Sequence, residues 1–409
     1  MKILLLTQWF DPEPTFKGLA FAKELKRQGH NVQVLTGFPN YPGGKVYEGY
    51  RIKLFHKEEI EGISVLRVAL YPSHDRSAKK RIFNYVSFGF MSSLVGVFAT
   101  KKADVIYAYH PPLTVGIAAI LIKLFRRTPV VYDIQDMWPD TLKSTGMLNN
   151  ERILELINIV CNIVYKYVDQ IVVLSPGFKS ILTSRGVPED KIEVIYNWCD
   201  EQALNNAVPF NLEYSELLKN KFNVVFAGNM GKAQALDTIL DTARAVEENK
   251  DIQFVFVGSG TETETLKQRV QQENINNALF ISRMPMSAVG EVLKLADVLL
   301  VHLKDDPLFR ITIPSKIQAY MTIGKPLLVG VRGDAAELVE QANCGEVVMP
   351  ENIDSIKTGI LKIYNMSKQQ RQQLGENAQN YYKSNLSLES GVSKFIEIFR
   401  KVRNDKKTF

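Results

Sequence analysis

The second half of the chain contains a fourteen-residue run that reads Ile313-Pro314-Ser315-Lys316-Ile317-Gln318-Ala319-Tyr320-Met321-Thr322-Ile323-Gly324-Lys325-Pro326. Proline at its start and glycine near its end predict one short helix, because proline suits the first turn and glycine the position past the last. That first turn would present backbone N–H groups, the Ser315 hydroxyl and the Lys316 ammonium, which together suit a phosphate or diphosphate. An ordinary capped connecting helix would show the same pattern, so the rest of the chain has to separate the two interpretations.

Apolar strand-like runs alternate with helix-like runs along the chain, as is typical of parallel sheets with helices on both faces. The first series of predicted strands comprises Lys2–Thr7, Asn31–Thr36, Ser64–Val68, Val105–Tyr109, Val130–Ile134, Gln170–Leu174 and Ile192–Tyr196. The second series comprises Asn223–Ala227, Gln253–Val257, Leu279–Ile281, Val298–His302, Leu327–Val329 and Glu346–Met349. A helix from about Phe16 to Gln28 is predicted between the first two strands.

Two domains are expected, because 409 residues exceed what one hydrophobic core usually serves. The polar segment 198–220 interrupts the alternation and marks the boundary between them. We therefore predict an α/β protein with two Rossmann-like domains. Ligands of open α/β sheets bind at the carboxyl ends of the strands, so the site is expected in a cleft between the two domains.

The formal charge is distributed unevenly along the chain. Residues 1–200 hold 25 Lys and Arg against 19 Asp and Glu, whereas residues 201–409 hold 25 of each. This excess suggests that the first domain faces an anionic partner, such as a membrane surface or a lipid phosphate. Nucleic acid is not favoured, since the sequence has no basic stripe with interleaved aromatic residues and no zinc-finger or RNP motif.

The cysteines and the first residues of the chain indicate a cytoplasmic protein. The three cysteines, Cys161, Cys199 and Cys344, form no C-x-x-C pair. This suits reduced thiols and argues against a structural zinc or a disulfide framework. The apolar run that follows Met1 ends at Thr7 and is too brief for a signal peptide, so it is expected to be a buried strand.

The apolar stretch 82–100 follows the basic residues Arg76, Lys79, Lys80 and Arg81. Its polar residues and glycines make it a poor transmembrane helix, although its length approaches that of a span. One interpretation is a helix buried against the first sheet. The other is an interfacial helix lying on an anionic membrane, and the two agree if only the basic end touches lipid.

Several turns after predicted strands suit a phosphorylated ligand. The first strand of the second series runs into Gly228-Asn229-Met230-Gly231-Lys232-Ala233-Gln234, where glycines let the backbone approach a ligand and Lys232 could reach a phosphate. The next two strands end at Gly258-Ser259-Gly260 and at Arg283-Met284-Pro285. Plain βα turns would explain each of these by itself. Together with the helix after Pro314 they outline a nucleotide-diphosphate site.

In the first domain, the run Tyr132–Asp140 carries three carboxylates within eight residues, and it also contains Trp138. Carboxylates can perform acid/base work or bind sugar hydroxyls, and a tryptophan face can stack on a sugar. Asp136 could instead cap the following helix. Trp9, Tyr41 and His110 follow other strands and are candidates for contacts with an acceptor, with a buried structural histidine as the alternative for His110.

These motifs resemble those of retaining glycosyltransferases of family 4 with the GT-B architecture, in particular a branch of N-acetyl-L-fucosamine transferases of bacterial O-antigen and capsule synthesis. The match rests on Asn40-Tyr41-Pro42-Gly43, Asp136-Met137-Trp138-Pro139, Gly228-Asn229-Met230-Gly231, Pro314-Ser315-Lys316 and Gly324-Lys325-Pro326. The resemblance implies transfer of a sugar from a UDP-sugar to a lipid-linked or saccharide acceptor. It also implies that the protein works without a metal. The basic first half of the chain adds the expectation of a peripheral position on the inner face of the cytoplasmic membrane.

The positions of these residues and the resemblance together assign roles to individual residues. Catalysis is assigned to Asp136, Lys232 and Lys316, the two lysines stabilising the departing diphosphate. Donor binding is assigned to Gly228, Asn229, Gly231, Gln234, Gly258, Gly260, Arg283, Met284, Pro314, Ser315 and Ile317. Acceptor binding is assigned to Trp9, Tyr41, His110 and Trp138. The same architecture implies domains at 1–200 and 201–385, with a closing helix in 386–409 that returns to the first domain.

The chain departs from the family pattern at two positions. Ile311 and Ala319 stand where many relatives carry two glutamates eight residues apart. The donor ribose would then be held by backbone groups or by Gln318. The departure keeps an alternative open, a non-catalytic nucleotide-sugar-binding or scaffold subunit of a polysaccharide assembly complex. A nucleotide-sugar 2-epimerase would need acidic and basic groups that the sequence does not place.

Overall fold

The computed structural model describes residues 1–73, 78–144, 147–205 and 212–405, so Arg76 of the predicted basic lead lies outside the described residues. The chain divides into two compact units. The first comprises Met1–Tyr196 together with Leu388–Phe409, and the second comprises Asn197–Ser387. The division between the units therefore falls just before the polar segment 198–220.

An eight-stranded sheet forms the centre of the first unit, in the order β3-β4-β2-β1-β5-β6-β7-β8. Its strands are β1 (Lys2–Thr7), β2 (Asn31–Gly37), β3 (Phe55–Ile60), β4 (Ile63–Val68), β5 (Val105–Tyr109), β6 (Val130–Ile134), β7 (Gln170–Val173) and β8 (Ile192–Val194). All neighbours are parallel except β3 and β4. The central strands are buried on both faces, which explains their continuous apolar sequences.

The helices that precede the boundary are α1 (Leu19–Arg27), α2 (Ala78–Phe98), α3 (Thr114–Arg126), α4 (Asp140–Ser144), α5 (Glu151–Tyr167) and α6 (Pro176–Ser184). The connections through α2, α3 and α5 cross the sheet in one direction, and the connection through α1 crosses in the other. Because such crossovers are right-handed, α2, α3 and α5 lie side by side on one face of the sheet and α1 lies on the opposite face.

A six-stranded, fully parallel sheet forms the centre of the second unit, in the order β11-β10-β9-β12-β13-β14. Its strands are β9 (Phe222–Asn229), β10 (Ile252–Ser259), β11 (Ala278–Ser282), β12 (Val298–His302), β13 (Leu327–Gly330) and β14 (Gly345–Val347). Its helices are α7 (Glu201–Asn205), α8 (Leu212–Leu218), α9 (Leu236–Ala245), α10 (Thr263–Gln272), α11 (Met286–Lys294), α12 (Pro307–Arg310), α13 (Ser315–Ile323), α14 (Asp334–Ala342), α15 (Ile353–Tyr364) and α16 (Lys368–Tyr381). Parallel pairing brings the carboxyl ends of these strands to one edge.

The last helix, α17 (Leu388–Asp405), belongs to the first unit. Its Phe395 ring lies 5.4 Å from that of Phe21 on α1 and 5.2 Å from that of Tyr107 on β5. All three side chains are fully buried. The chain therefore returns to the first sheet after completing the second.

Each predicted strand is present, with ends that differ from the prediction by no more than two residues. The strand β3 was not predicted from the sequence. Its sequence Phe-His-Lys-Glu-Glu-Ile is largely charged because β3 lies at the edge of the sheet, where charged side chains discourage pairing with other molecules. It joins β4 through Glu61 and Gly62, whose positive φ angles of 46° and 79° match a tight hairpin turn.

The helix predicted from Phe16 begins later, at Leu19. The Asp11 carboxylate accepts a hydrogen bond from the Leu19 N–H at 2.6 Å and holds the first turn there. The helix ends before Gly29, whose φ is 85°. The helix predicted after Pro314 is confirmed, with Gly324 in the left-handed conformation just past its end.

Candidate active site

Lys316 occupies the centre of the predicted donor site in the second unit. Its ammonium lies 3.5 Å from the centroid of the Phe226 ring on β9. A methyl group added at Gly228 would lie 2.7 Å from the Lys316 Cε, so the lysine chain runs directly over this glycine. Gly228 has a φ of 136°, which glycine adopts without strain. The first turn of α13 thus lies against the carboxyl end of β9.

Tyr320 fixes α13 in this position. It follows Lys316 by one helical turn, and the backbone N–H of Ala227 donates to its hydroxyl at 2.8 Å. The hydroxyl in turn donates to the Ala227 carbonyl at 3.3 Å. Because Tyr320 is fully buried, these bonds pin the helix to β9.

The environment of Lys316 favours its neutral form. Burial lowers the pKa of its ammonium from 10.5 to about 7. Among the described residues no carboxylate pairs with it, and the ring of Phe226 supplies only a cation–π contact. The start of α13 has no side-chain cap, so its backbone N–H groups add positive potential beside the amine. An anionic ligand would satisfy both features.

The turns after β9 and β10 pack tightly on each other. The Met230 N–H donates to the Ser259 carbonyl, and the Glu262 N–H donates to the Met230 carbonyl, both at 3.0 Å. A methyl group at Gly258 would meet the Gly228 oxygen at 2.1 Å, and one at Gly260 would meet the Met230 oxygen at 2.3 Å. Contact between the two turns therefore requires Gly258 and Gly260, whether or not a ligand is bound.

Lys232 and Gln234 lie in a single turn of 3₁₀-helix that follows β9. The Lys232 side chain is exposed. The Gly231 N–H donates to Oε1 of Gln234 at 2.9 Å, and the Gln234 carbonyl lies 2.8 Å from Nδ1 of His302 on β12. Gln234 therefore holds the turn in shape and joins it to the neighbouring strand. Asn229 is exposed at the end of β9.

A cavity of about 220 Å³ lies at the ends of β10 and β11. Gly258, Gly260 and Arg283 line it, with Phe280 at its wall. The Phe280 ring stacks on that of Phe256, at 5.0 Å between centroids. Of the two residues after β11 that are assigned to donor binding, Arg283 lines this small cavity and Met284 does not.

Three other residues of α13 differ in their exposure. Ser315 is exposed at the first turn, as expected for a donor contact. Ile317 is fully buried and its N–H donates to the Pro314 carbonyl at 2.9 Å, so the structure does not bring Ile317 to the site. Gln318 is 3% exposed, and with its amide turned to donate, the nitrogen lies 2.9 Å from the Pro314 carbonyl. Gln318 is therefore not available to hold a ribose.

The predicted acceptor residues follow β1, β2, β5 and β6, which are neighbours in the first sheet. The rings of Trp9 and Tyr41 stack with centroids 4.6 Å apart. Trp138 lies 5.4 Å from His110 in an edge-on contact and 6.3 Å from Tyr85. The structure thus gathers these residues into aromatic groups at the carboxyl edge of the sheet.

His110 is more deeply buried than the other three residues assigned to acceptor binding. It is 2% exposed, and burial lowers its pKa to about 3, so its ring is neutral. Its edge-on contacts with Tyr132 and Trp138 place it beneath the tryptophan. This burial favours the structural interpretation of His110. Its assignment to acceptor binding stays a prediction.

Only one of the three carboxylates in Tyr132–Asp140 is available for chemistry. Asp133 is fully buried and pairs with the Lys17 ammonium at 2.5 Å. Asp140 begins α4 and forms an ion pair with Arg185. Asp136 is half-buried, and among the described residues its carboxylate has neither an ion pair nor a capping role. Burial raises its pKa.

Two further residues of this region were not predicted from the sequence. Tyr85 on α2 lies beside Trp138, and burial raises the pKa of its phenol. Glu13 is 2% exposed and accepts backbone N–H bonds from Phe10 at 3.2 Å and, on its other oxygen, from Asn40 at 2.7 Å and Tyr41 at 2.8 Å. Glu13 thus joins the loops that carry Trp9 and Tyr41. A glutamate between two prolines, Pro12 and Pro14, was its only signal in the sequence.

No cluster of three or more His, Cys, Asp or Glu side chains suited to a metal ion occurs in the parts of the chain that the structure describes.

Two family models match the chain. The model described as a glycosyl transferase 4-like domain matches residues 19–198, and the model for glycosyl transferases group 1 matches residues 211–381. The chain is a GT-B glycosyltransferase. Both halves of this glycosyltransferase are matched, and each match coincides with one of the two parallel-sheet units.

Individual relatives of this glycosyltransferase are distant. WcaI of Escherichia coli (strain K12), named as a glycosyl transferase of colanic acid biosynthesis, is 24% identical over 98% of this chain and 100% of its own. The structure of Anabaena Alr3699/HepE in complex with UDP and glucose is 18% identical, with a TM-score of 0.65 over 98% of this chain and 99% of that one. The catalytic domain of starch synthase IV from Arabidopsis thaliana, bound to ADP and acarbose, is 13% identical, with a TM-score of 0.69 over 98% and 99%. These structures confirm the predicted fold class.

Proposed function

We propose that this glycosyltransferase moves a sugar from a UDP-sugar to a lipid-linked or saccharide acceptor in bacterial surface polysaccharide synthesis, such as that of O-antigen or capsule. Lys316 carries the proposal, because its desolvated amine lies at the uncapped start of α13 and over the end of β9. An ammonium and helix N–H groups together suit a diphosphate. The colanic acid name of WcaI and the UDP complex of HepE support the choice of pathway and donor.

The donor is proposed to bind with its base in the cavity beside Arg283 and its diphosphate at Lys316. The glycosidic bond between the sugar and the diphosphate breaks while the acceptor oxygen attacks from the same face, so the configuration at the anomeric carbon is retained. The leaving phosphate oxygen takes the acceptor proton, and UDP departs. Lys316, Lys232 and the start of α13 stabilise the charge that develops on the diphosphate.

A metal is not required in this proposal, since these groups supply the positive charge. Turnover should therefore be insensitive to EDTA, and a loss of turnover that Mg²⁺ or Mn²⁺ restores would contradict it. Asp136 is proposed to position the donor sugar or stabilise the transition state, because its carboxylate is half-buried at the carboxyl edge of the first sheet. Asp136→Asn should lower kcat while UDP affinity is unchanged.

The donor sugar is proposed to be an N-acetylated amino sugar, with N-acetyl-L-fucosamine as the first candidate from the motif resemblance. A mass-spectrometric screen of nucleotide sugars against lipid-linked and free saccharide acceptors would test this. Products with the configuration of the donor would support retention, and inverted products would contradict it.

The acceptor is proposed to be presented at the cytoplasmic face of the membrane, where the protein binds peripherally. Lys79 and Lys80 are exposed at the start of α2, and cations at this position are attracted to anionic lipid. No described helix is both long and apolar enough to cross a bilayer. Reversing the charge of Lys79, Lys80 and Arg81 should weaken binding to anionic liposomes and leave UDP affinity intact, whereas equal binding would contradict the membrane role.

A second candidate is a protein that binds nucleotide sugars without turning them over. Ile311 and Ala319, at positions where the resemblance leads us to expect glutamates, favour it. Calorimetry with UDP separates the candidates in two steps. Absence of UDP binding by folded protein at millimolar ligand would refute both. Binding without turnover across the donor and acceptor screen would favour the second.

A further inference from the structure

One face of the first unit is covered by apolar side chains that none of its described residues buries. They lie on the outer sides of α2, α3 and α5, which form one helical layer. On α2 they are Ile82, Phe83, Val86, Phe90, Leu94 and Phe98. On α3 they are Ile117, Leu121, Leu124 and Phe125. On α5 they are Ile153, Leu156, Ile159, Ile163 and Tyr167. We call these fifteen residues the apolar face.

The apolar face is continuous because the three helices pack closely. A methyl group added at Gly89 or Gly96 of α2 would lie within 2.8 Å of Thr114 or Ile122 on α3. One added at Gly116 of α3 would lie 2.7 Å from Val164 on α5. These glycines let the helices approach closely, so the outer sides of neighbouring helices adjoin.

The inner and outer sides of α2 show why the sequence allowed two interpretations of this helix. Phe88 and Val95 are buried against the sheet, whereas Phe90 and Phe98 are 68% and 77% exposed. Beyond Lys80, every exposed side chain of α2 is apolar, and the same holds for α3. A solvated helix would carry polar residues on that side.

The exposed area is large for a single soluble unit. Phe83, Phe90 and Phe98 are 58%, 68% and 77% exposed. They alone present roughly 400 Å² if each side chain carries about 200 Å². The largest apolar patch of a typical monomer is a few hundred Å² and is often a binding surface. The other twelve residues extend the apolar face well beyond that size.

The charges around the apolar face favour an anionic lipid surface as its occupant. Neither α2 nor α3 contains an acidic residue. Lys79 and Lys80 precede the apolar side chains of α2, and Arg127 follows those of α3. Glu151 and Glu155 at the start of α5 are the acidic residues of the layer, and Glu151 pairs with Lys143 at 2.8 Å. Apolar residues bordered by cations are typical of surfaces that enter the headgroup region.

We propose that α2, α3 and α5 insert their apolar face into the interfacial layer of an anionic membrane, so that the protein is held by hydrophobic contact as well as by charge. The proposal rests on the membrane association proposed above and adds the surface and the mode of attachment. It predicts binding that high salt reduces but does not abolish, because screening acts on charges and not on buried apolar area.

A triple variant tests the apolar face. Phe90→Ser, Phe98→Ser and Phe125→Ser remove three of its most exposed side chains. The matched control carries Leu54→Ser, Leu217→Ser and Met349→Ser, three exposed apolar residues outside the layer. Flotation with vesicles of phosphatidylcholine and phosphatidylglycerol, at low and at high NaCl, measures binding. Thermal melting and UDP calorimetry show whether each variant is folded and its donor site intact.

Wild-type protein and control should float with the anionic vesicles, and part should remain bound at high NaCl. The triple variant should bind at least about tenfold less at high NaCl. Flotation of the triple variant equal to wild type, or complete loss of wild-type flotation at high NaCl, would overturn the proposal. So would a wild-type dimer that ignores vesicles and dissociates in the triple variant, since the apolar face would then bind a second copy. Failure of UDP binding would refute the donor site and leave the membrane result standing.

Discussion

Binding of UDP is expected to place a proton on Lys316. Burial lowers the pKa of this side chain to about 7 in the free protein. At pH 8 about nine-tenths of the molecules would then carry a neutral amine. A diphosphate in contact with the amine favours its charged form and returns the pKa towards its ordinary value. Each UDP should therefore take up about 0.9 proton at pH 8 and about 0.5 at pH 7.

Calorimetry in pairs of buffers with different ionisation enthalpies measures this uptake directly. The work is best done at pH 8, where a terminal phosphate with a pKa of about 6 contributes little. Lys316→Met should abolish the uptake and weaken UDP binding by roughly 2 kcal/mol. Lys232→Met serves as the control, because that ammonium is exposed and its loss should leave the uptake unchanged.

Two results would refute the reasoning. One is a proton uptake near zero for wild-type protein at pH 8. The other is an uptake that survives in Lys316→Met, since the proton would then be taken up elsewhere. Either result would contradict the proposal that Lys316 contacts the diphosphate of the donor.

The same substitution should stabilise the free protein. Below its unfolded pKa of 10.5 and above about 7, Lys316 binds its proton more tightly in the unfolded chain, so stability rises with pH across that window. Below pH 7 the folded protein carries the full cost of a desolvated ammonium. Lys316→Met should therefore raise the free energy of unfolding at pH 6, by at most about 5 kcal/mol, measured by urea denaturation.

Three further predictions concern other residues. Gly228→Ala should weaken UDP binding at least tenfold in calorimetry. A φ of 136° is strained for alanine, at about 1–3 kcal/mol, and the new methyl group would displace the Lys316 side chain. Unchanged affinity would contradict the proposed donor site. Burial raises the pKa of Glu13 to about 7 from 4.5, so the free energy of unfolding should fall as pH rises through that range by about 3 kcal/mol. Glu13→Gln should remove this fall in urea titrations, and an unaltered pH profile would argue against it. Lys17→Met leaves the buried Asp133 carboxylate without its cation, although Tyr107 and Gln135 still donate hydrogen bonds to it. It should lower the free energy of unfolding by about 3–5 kcal/mol, and a loss below 1 kcal/mol would show that the pair contributes little.

Local sequence signals were sufficient for most of the secondary structure. Pro314 and Gly324 mark the start and the end of α13, because their backbone preferences act within a few residues. The buried strands were equally readable, since strands covered on both faces must be apolar throughout. The edge strand β3 was missed because its charged side chains reflect exposure to solvent, a property of its place in the sheet.

Side-chain roles were less readable than strands and helices. The residue pattern alone did not separate the three carboxylates of Tyr132–Asp140, and the choice of Asp136 came from the family resemblance. Burial of Asp133 with Lys17 and the ion pair of Asp140 with Arg185 distinguish them in the structure. Lys17 lies 116 residues away, and no local pattern reports such a pairing. No local pattern showed that His110 is buried either. Its contact with Trp138 joins residues that follow two neighbouring strands.

By itself, the sequence determined two parallel-sheet units, the helix after Pro314 and the set of turns that follow the strands of the second unit. Periodicity and turn chemistry act over a few residues, so they can be read directly. Tertiary structure alone decided that the Lys316 ammonium lies over Phe226 with no carboxylate partner among the described residues. It also decided that α3 and α5 extend the apolar side of α2. Both features depend on which distant segments pack together, because burial and desolvation are properties of the folded surroundings.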